Sequence, residues 1–493
     1  MKIAYISTYT PRECGIATFN YNLIRAISSN SKNGSISGFV VAMNDSDDLN
    51  EYEYPNEVKF RIRQEYQEDY IRAAEFINNS DADVCILEHE FGIFGGESGV
   101  YLLPLIHALK KPVITILHTV LKEPSFMQQI IIREIAAQSA KIVVMSKRAV
   151  EFLKDNYNIP GDKVQQIEHG VPDLEVLHIN PVKSIPSFRD NKVLFTFGLI
   201  SRNKGLETVI KALPAIVEQH PDVVYVVLGN THPGVRRNSG EEYRDSLTQL
   251  ATELKVDKHL IFINQFVSET ELFNYLTASS IYITPYLNEA QITSGTLSYA
   301  VGSGSAVLST PYWHAQELLE NNRGRIFDFK DSNALAESVI DLFNNPDKLQ
   351  ELKQNAYNYG LQLRWPAIGG EYLNLLSEAV YKPKNGSGMQ HILDSQVIPE
   401  FSLEHVLRLT DGTGIVQHAK YGIANLKEGY CLDDNARALI MTLMAFQQNK
   451  SKEALDLLPI YLSYIQYMQK DDGNFRNFLS FGRGYLDEVG SED

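Results

Sequence analysis

Short apolar, β-branched runs alternate with amphipathic stretches from the first residues onward. K-I-A-Y-I-S (2–7), S-G-F-V-V-A-M (37–43), V-C-I-L-E-H (84–89), P-V-I-T-I-L-H (112–118) and K-I-V-V-M-S (141–146) have the length and density of buried strands. Between them, T-F-N-Y-N-L-I-R-A-I (18–27) and Y-I-R-A-A-E-F-I-N (70–78) space apolar residues as an amphipathic helix does. Such alternation predicts a mainly parallel sheet with helices on both faces.

The pattern pauses at H-I-N-P-V-K-S-I-P-S-F-R-D (178–190), a polar, proline-bearing connection, and then restarts. The second series of strands is K-V-L-F-T-F-G (192–198), D-V-V-Y-V-V-L-G-N (222–230), H-L-I-F-I-N-Q-F (259–266), S-I-Y-I-T-P-Y (280–286) and S-A-V-L-S-T (305–310). The expected architecture is α/β: two doubly wound, Rossmann-like domains, 1–180 and 181–363, with a cleft between them. A helix over 364–382 follows, then a linker over 383–399 that includes most of K-P-K-N-G-S-G. Residues 400–493 change character, with long helical patterns, no strand signal and Asp/Gly-rich loops such as C-L-D-D-N-A-R (431–437). They read as an all-α module with room for three or four helices, and their G-S-E-D ending suggests part of a larger helical domain.

Composition narrows the function classes. A length of 493 residues suggests about three domains, and 44% hydrophobic with 22% charged residues is ordinary for a globular chain. The net charge of −16 argues against a broad nucleic-acid or anionic-membrane surface. Cys14, Cys85 and Cys431 give neither a disulfide framework nor zinc spacing. The N-terminal M-K-I-A-Y-I-S-T-Y lacks the pattern of a signal peptide, and no run of 18 apolar residues occurs, so a cytoplasmic location without membrane insertion is expected.

Ligands of doubly wound sheets lie beyond the carboxyl ends of the strands, where helices begin. In T-Y-T-P-R-E-C-G-I-A-T-F (8–19), Gly15 allows close backbone approach at such a helix start. L-E-H-E-F-G-I-F-G-G-E-S-G (87–99) offers His89, Glu90 and Glu97 at a strand end. His118 ends a strand toward the cleft, where an imidazole can bond a sugar hydroxyl or carry a proton, and His169 occupies a further turn, I-E-H-G-V-P-D. In the second half, Arg202 and Lys204 of S-R-N-K-G stand where a helix start already favours phosphate. L-G-N-T-H adds Asn230, Thr231 and His232, and Ser294-Gly295-Thr296 offers successive amides as a phosphate cradle.

Taken in order, these loops over about residues 1–382 resemble the family 4, group 1 glycosyltransferases, retaining enzymes of the GT-B fold. The resemblance rests on C-G-I-A-T-F, I-L-H-T-V, the H-G-V turn, S-R-N-K-G, F-V-S-E-T-E-L-F-N-Y-L, and G-S-G-S-A-V-L-S-T followed by Glu317. R-W-P-A-I (364–368) is similar to the start of the helix that crosses back to the first domain in this fold. The resemblance implies a UDP- or GDP-linked hexose as donor and a saccharide or other hydroxyl acceptor, with no cofactor and no metal. Carried over by position, His118 assists transfer. Gly15, Arg202, Lys204, Asn230, Ser294, Gly295 and Thr296 serve the donor, with Phe266 and Val267 near its base. His89, Glu90 and His169 fall on the acceptor side.

Two positions depart from the family pattern. The phosphate arginine is expected at Leu199, and the nearest arginine is Arg202. The family's two glutamates fall at Gln291 and Tyr299, which leaves Glu289 as the nearest carboxylate for the donor sugar and the Tyr299 hydroxyl for the ribose. A GT-B epimerase or phosphorylase, or a non-catalytic glycan- or nucleotide-binding scaffold, are the rival readings. The tail resembles the start of an (α/α) toroid of glycoside-processing enzymes, with Asp433 and Asp434 as a sugar site or, alternatively, helix caps.

Overall fold

The structure is a computed structural model that describes residues 1–31, 35–174, 188, 191–231, 240–381, 402–488 and 490. The connection expected at 178–190 (Phe188 apart), His232, the linker at 383–399 and the last three residues lie outside the described residues. The chain divides into two units, Met1–Leu393 and Asp394–Asp493.

The first lobe of the larger unit carries β1 (Lys2–Ser7), β2 (Ser37–Asn44), β3 (Val58–Arg63), β4 (Val84–His89), β5 (Val113–Leu117), β6 (Lys141–Val144) and β7 (Val164–Gln166). They form one sheet in the order β3-β2-β1-β4-β5-β6-β7, parallel throughout. Helices α1 (Gly15–Ser29), α2 (Gln67–Asn79), α3 (Leu102–Ala108), α4 (Phe126–Gln138) and α5 (Lys147–Asp155) connect them. The second lobe carries β8 (Lys192–Phe197), β9 (Val223–Leu228), β10 (Leu260–Ile263), β11 (Ile281–Thr284), β12 (Val307–Ser309) and β13 (Arg325–Ile326). Its order is β10-β9-β8-β11-β12-β13, again parallel. Its helices are α6 (Leu206–Gln219), α7 (Glu242–Glu253), α8 (Glu269–Ala278), α9 (Gly295–Gly302), α10 (Trp313–Leu318), α11 (Ser332–Asn344) and α12 (Pro346–Leu363).

The strand period of two distributes the core. In β1, Ala4 and Ile6 enter one cluster with α2–α4, while Ile3 and Tyr5 enter another with α1. In β9, Val223, Tyr225 and Val227 face one side and Val224, Val226 and Leu228 the other. Burial on both faces is why these segments read as continuous apolar runs. Strand order reverses between β1 and β4 and between β8 and β11, and both switch points open where the helices begin.

Helix α13 (Trp365–Tyr381) follows the second lobe in sequence but buries Ile368, Tyr372 and Leu376 in the first lobe's core, beside Leu23 and Ile27 of α1. In the smaller unit, α14 (Glu404–Leu409), α15 (Leu432–Asn449) and α16 (Lys452–Met468) are the described α-helices. The expectation of no strands there fails. Four two-residue strands, β14 (Ala419–Lys420), β15 (Ile423–Ala424), β16 (Tyr430–Cys431) and β17 (Phe478–Leu479), pair as two antiparallel ladders, too short to leave a periodic signal.

Candidate active site

Between the lobes of the larger unit lies a cleft of about 440 Å³. The first lobe supplies Glu13, Cys14, Gly15, Thr18, Phe19 and His169. The second supplies Phe197–Leu199, Ser201, Lys204, Asn230, the Gln265–Val267 turn with Leu272, and Gly295, Thr296 and Tyr299 from α9. Nine residues singled out from the sequence therefore meet here: Gly15, His169, Lys204, Asn230, Phe266, Val267, Gly295, Thr296 and Tyr299.

One wall suits an anion. Ser294 caps α9, its Oγ accepting from the Leu297 N–H at 3.3 Å. The Ser294 amide is itself committed, donating to His314 Nδ1 at 3.0 Å, so the free end of the helix begins at Gly295 and Thr296. His314 is fully buried, and burial drives its pKa down to about 3, so the ring is neutral and its Nδ1 can accept. Thr296 Oγ1 lies 2.8 Å from the Tyr286 hydroxyl, and Lys204 Nζ sits 3.8 Å above the Tyr286 ring. A cation and open amides thus share one corner. The next residue, Gly205, has φ 61°, and a Cβ there would meet the Pro285 carbonyl at 2.2 Å, so only glycine delivers the chain from Lys204 into α6.

His169 closes the opposite side. Its Nδ1 donates to its neighbour's carbonyl, Gly170 O, at 2.8 Å, and burial lowers its pKa to about 4. Nε2 is therefore a lone-pair acceptor. It stands close to α9: a Cβ on Gly295 would lie 3.0 Å from it. Phe19 packs edge-on against both His169 and His118, with centroids 5.0 Å away in each case.

Several expectations need correction. Arg202 is an exposed residue paired with Glu242 at 2.8 Å and does not line the cleft, which leaves Lys204 as the cation there among the described residues. Glu289 is exposed outside the cleft, and its carbonyl accepts from the Trp313 N–H. Gln291 turns its amide onto the Thr293 carbonyl. His89 is fully buried, stacked on Phe94 at 5.7 Å, and burial drops its pKa to about 3; it presents nothing to an acceptor. Glu90 caps the turn after β4, accepting from the Phe91 N–H at 3.1 Å and from the Thr119 hydroxyl. His118 stands behind Phe19, its Nε2 2.6 Å from Glu88 Oε2. Glu88 is wholly buried, which raises its pKa, while His118 opposes the rise. Thr231 donates to Glu241.

Two partners escaped sequence reasoning. The Tyr299 hydroxyl, at the position of a family glutamate, donates to Glu269 Oε1 at 2.8 Å. Asn22 of α1 donates to the same oxygen at 2.9 Å, tying the first lobe to the second. A carboxylate from a neighbouring helix thus stands behind Tyr299, outside the cleft lining.

Residues 182–359 match the family model for glycosyl transferases, group 1. The matched residues include Lys204, Gly295, Thr296 and the Gln265–Val267 turn with Leu272. Among curated relatives, the chain is similar to spore coat protein SA of Bacillus subtilis (strain 168), 24% identical over 241 residues, 45% of this chain and 62% of that protein. The chain spans 38–62% of the length of the first curated relatives it matches. Its structure is similar to sucrose-phosphate synthase from Thermosynechococcus elongatus, with TM-score 0.60, 16% identity, and coverage of 77% of this chain and 98% of that one. It is also similar to Anabaena Alr3699/HepE in complex with UDP, with TM-score 0.58, 16% identity, and coverage of 77% and 100%. The fold is GT-B. Among the described residues, no helix is long and apolar enough to cross a membrane.

Proposed function

We propose that this chain is a retaining glycosyltransferase of the family 4 type. It moves a hexosyl group from a nucleoside-diphosphate sugar to a saccharide or other hydroxyl acceptor. The observation that carries the reading is the order of chemistry along the cleft. Lys204 with the Gly295 and Thr296 amides forms an anion corner, and Phe266, Val267 and Leu272 form an apolar slot for a base. The UDP in the similar HepE structure agrees with such a ligand class.

In this reaction the bond between the anomeric carbon and the diphosphate oxygen breaks, and its electron pair leaves with the phosphate, while the acceptor oxygen bonds the anomeric carbon and passes its proton to the departing diphosphate. Lys204 and the α9 amides hold the charge that develops there, and fixed donors of this kind are the main source of rate enhancement in such sites. Neutral His169 accepts a hydroxyl proton in a hydrogen bond without adding a competing positive charge. No step needs a metal ion from this chain. The smaller unit, read as similar to an (α/α) toroid, holds or trims the glycan.

The non-catalytic reading has one observation in its favour. Among the described residues lining the cleft, Glu13 is the one carboxylate, and Glu289 lies elsewhere. A thermal-shift panel of UDP, GDP and ADP with their hexose conjugates, followed by assay of nucleotide release, separates the two. The transferase reading expects one nucleotide class to raise Tm and its sugar conjugate to be slowly turned over. Binding with no release in the presence of saccharide acceptors supports the scaffold, and no binding overturns both.

A further inference from the structure

Behind the start of α9 the two lobes meet across a polar cavity of about 100 Å³. Glu168, which follows β7 of the first lobe, enters it beside Lys147 of α5. The second lobe contributes His314 and Glu317 of α10, Glu320 and Arg323 after it, and Tyr359 of α12. These are the charged and titratable groups around Glu168. Two histidines join the cavity to the cleft. His169, next in sequence to Glu168, lines the cleft, and His314, which accepts the Ser294 amide at the anion corner, also lines the cavity.

Carboxylates hold the lobes together here. Both Glu317 oxygens accept from the Lys147 N–H, at 2.8 and 3.0 Å, so a second-lobe side chain closes the first turn of a first-lobe helix. Gln166 Nε2 reaches both acids, 3.1 Å from Glu168 Oε1 and 3.5 Å from Glu317 Oε1, and the Tyr359 hydroxyl donates to the same Glu168 oxygen at 3.4 Å. Arg323 gives Nε and Nη2 to the Leu318 and Glu317 carbonyls and offsets the Glu168 charge only weakly. We propose that Glu168 is a proton-operated latch: protonated, it lets the lobes stay together around the cleft, and ionised, it repels Glu317 and drives them apart, so that donor affinity falls as pH rises.

Burial first, and then the Glu317 charge, raise the Glu168 pKa to about 7 with the lobes joined. Separation returns water to Glu168 and removes the Glu317 charge, so the pKa falls back toward the ordinary 4.5. The joined arrangement thus holds a proton that the separated one releases. Its advantage is complete at low pH and is lost as pH rises from about 4.5 to about 7. A nucleotide sugar that touches both walls favours the joined arrangement, so its binding takes up that proton. This step rests on the function proposed above.

The test is titration calorimetry of the full chain, without acceptor, using whichever hexose conjugate of UDP, GDP or ADP binds best. Its diphosphate is esterified at both ends and has no ionisation of its own in the range used. The unaltered protein should bind about 10–30-fold more weakly at pH 8 than at pH 5.5. At pH 6, in two buffers of different ionisation enthalpy, binding should take up about one proton. E168Q, uncharged throughout, should bind within about twofold at both pH values and take up no proton. E317Q keeps Glu168 and removes the like charge, so its loss of affinity should move to lower pH. A merely structural role for Glu168 weakens E168Q equally at both pH values and leaves the proton uptake in place, which overturns the proposal. So does an E317Q profile that falls where the unaltered one does. A protein that binds a conjugate equally at both pH values overturns this inference alone, whereas one that binds none overturns the proposed function itself.

Discussion

Two helices begin at the cleft, and their first turns are built differently. At α9, Ser294 caps the helix with its hydroxyl, His314 takes the cap amide, and Lys204 reaches the same corner through Tyr286. At α1, Cys14 occupies the cap position without a side-chain cap bond, its Sγ 3.3 Å from Thr8 Oγ1, and the preceding residue is Glu13. Every helix start carries partial positive charge. At α9 a cation adds to it, and at α1 an acid offsets it. In the proposed reaction the contrast orients a ligand, with its diphosphate at α9 and its neutral, hydroxyl-bearing part near α1 and His169.

The contrast can be broken by titration. Lys204→Ala should weaken nucleoside-diphosphate binding by about 10–100-fold, as expected when one charge-assisted contact is lost. Glu13→Gln should change it by no more than about twofold. Equal losses in the two variants would show that the ligand does not distinguish the helix starts. Arg202→Ala, at a residue paired with Glu242 on the surface, should behave like Glu13→Gln.

A second difference lies behind α9. His314 also borders a small polar pocket that holds Glu168 and Glu317. Burial first, and then the Glu317 charge, raise the Glu168 pKa to about 7. A carboxyl whose folded pKa exceeds its unfolded value makes stability fall as pH rises between the two, here from about 4.5 to about 7. Glu168→Gln should remove that slope, flattening the change in Tm between pH 5 and pH 8 by about 1 °C for each kcal/mol involved. A variant with the slope of the unaltered protein would place the titration elsewhere.

The smallest effect concerns the caps themselves. Ser294→Ala should cost about 1 kcal/mol in chemical denaturation, whereas Cys14→Ala should stay within about 0.5 kcal/mol. Similar costs would mean that the hydroxyl at α9 is not acting as a cap.

Both sheets were legible because each inner strand is a short run buried on two faces and bounded by polar turns. β3, whose V-K-F-R-I-R alternates charge with apolar residues on an edge strand, and the very short β7 and β13 leave no such run. Gly15, Lys204, Gly295 and Thr296 could be placed on the cleft because a strand-end loop and the helix after it put them there. His89 could not, since its burial depends on Phe91 and Phe94 folding back over it. Glu269 was hidden by its own context. In F-V-S-E-T-E it reads as an acid in the first turn of a helix capped by Ser268, which it is. Its second role depends on Asn22, 247 positions away, and no local pattern announces such a contact.

The return of α13 to the first lobe separates the order of synthesis from the order of assembly. Tyr372 and Leu376 complete a core begun by Ile3, Tyr5 and α1, so one face of the first sheet lacks part of its cover until the whole second lobe has left the ribosome. During that interval a nascent chain carries an unfinished apolar surface, and it closes only when the last helix of the unit arrives.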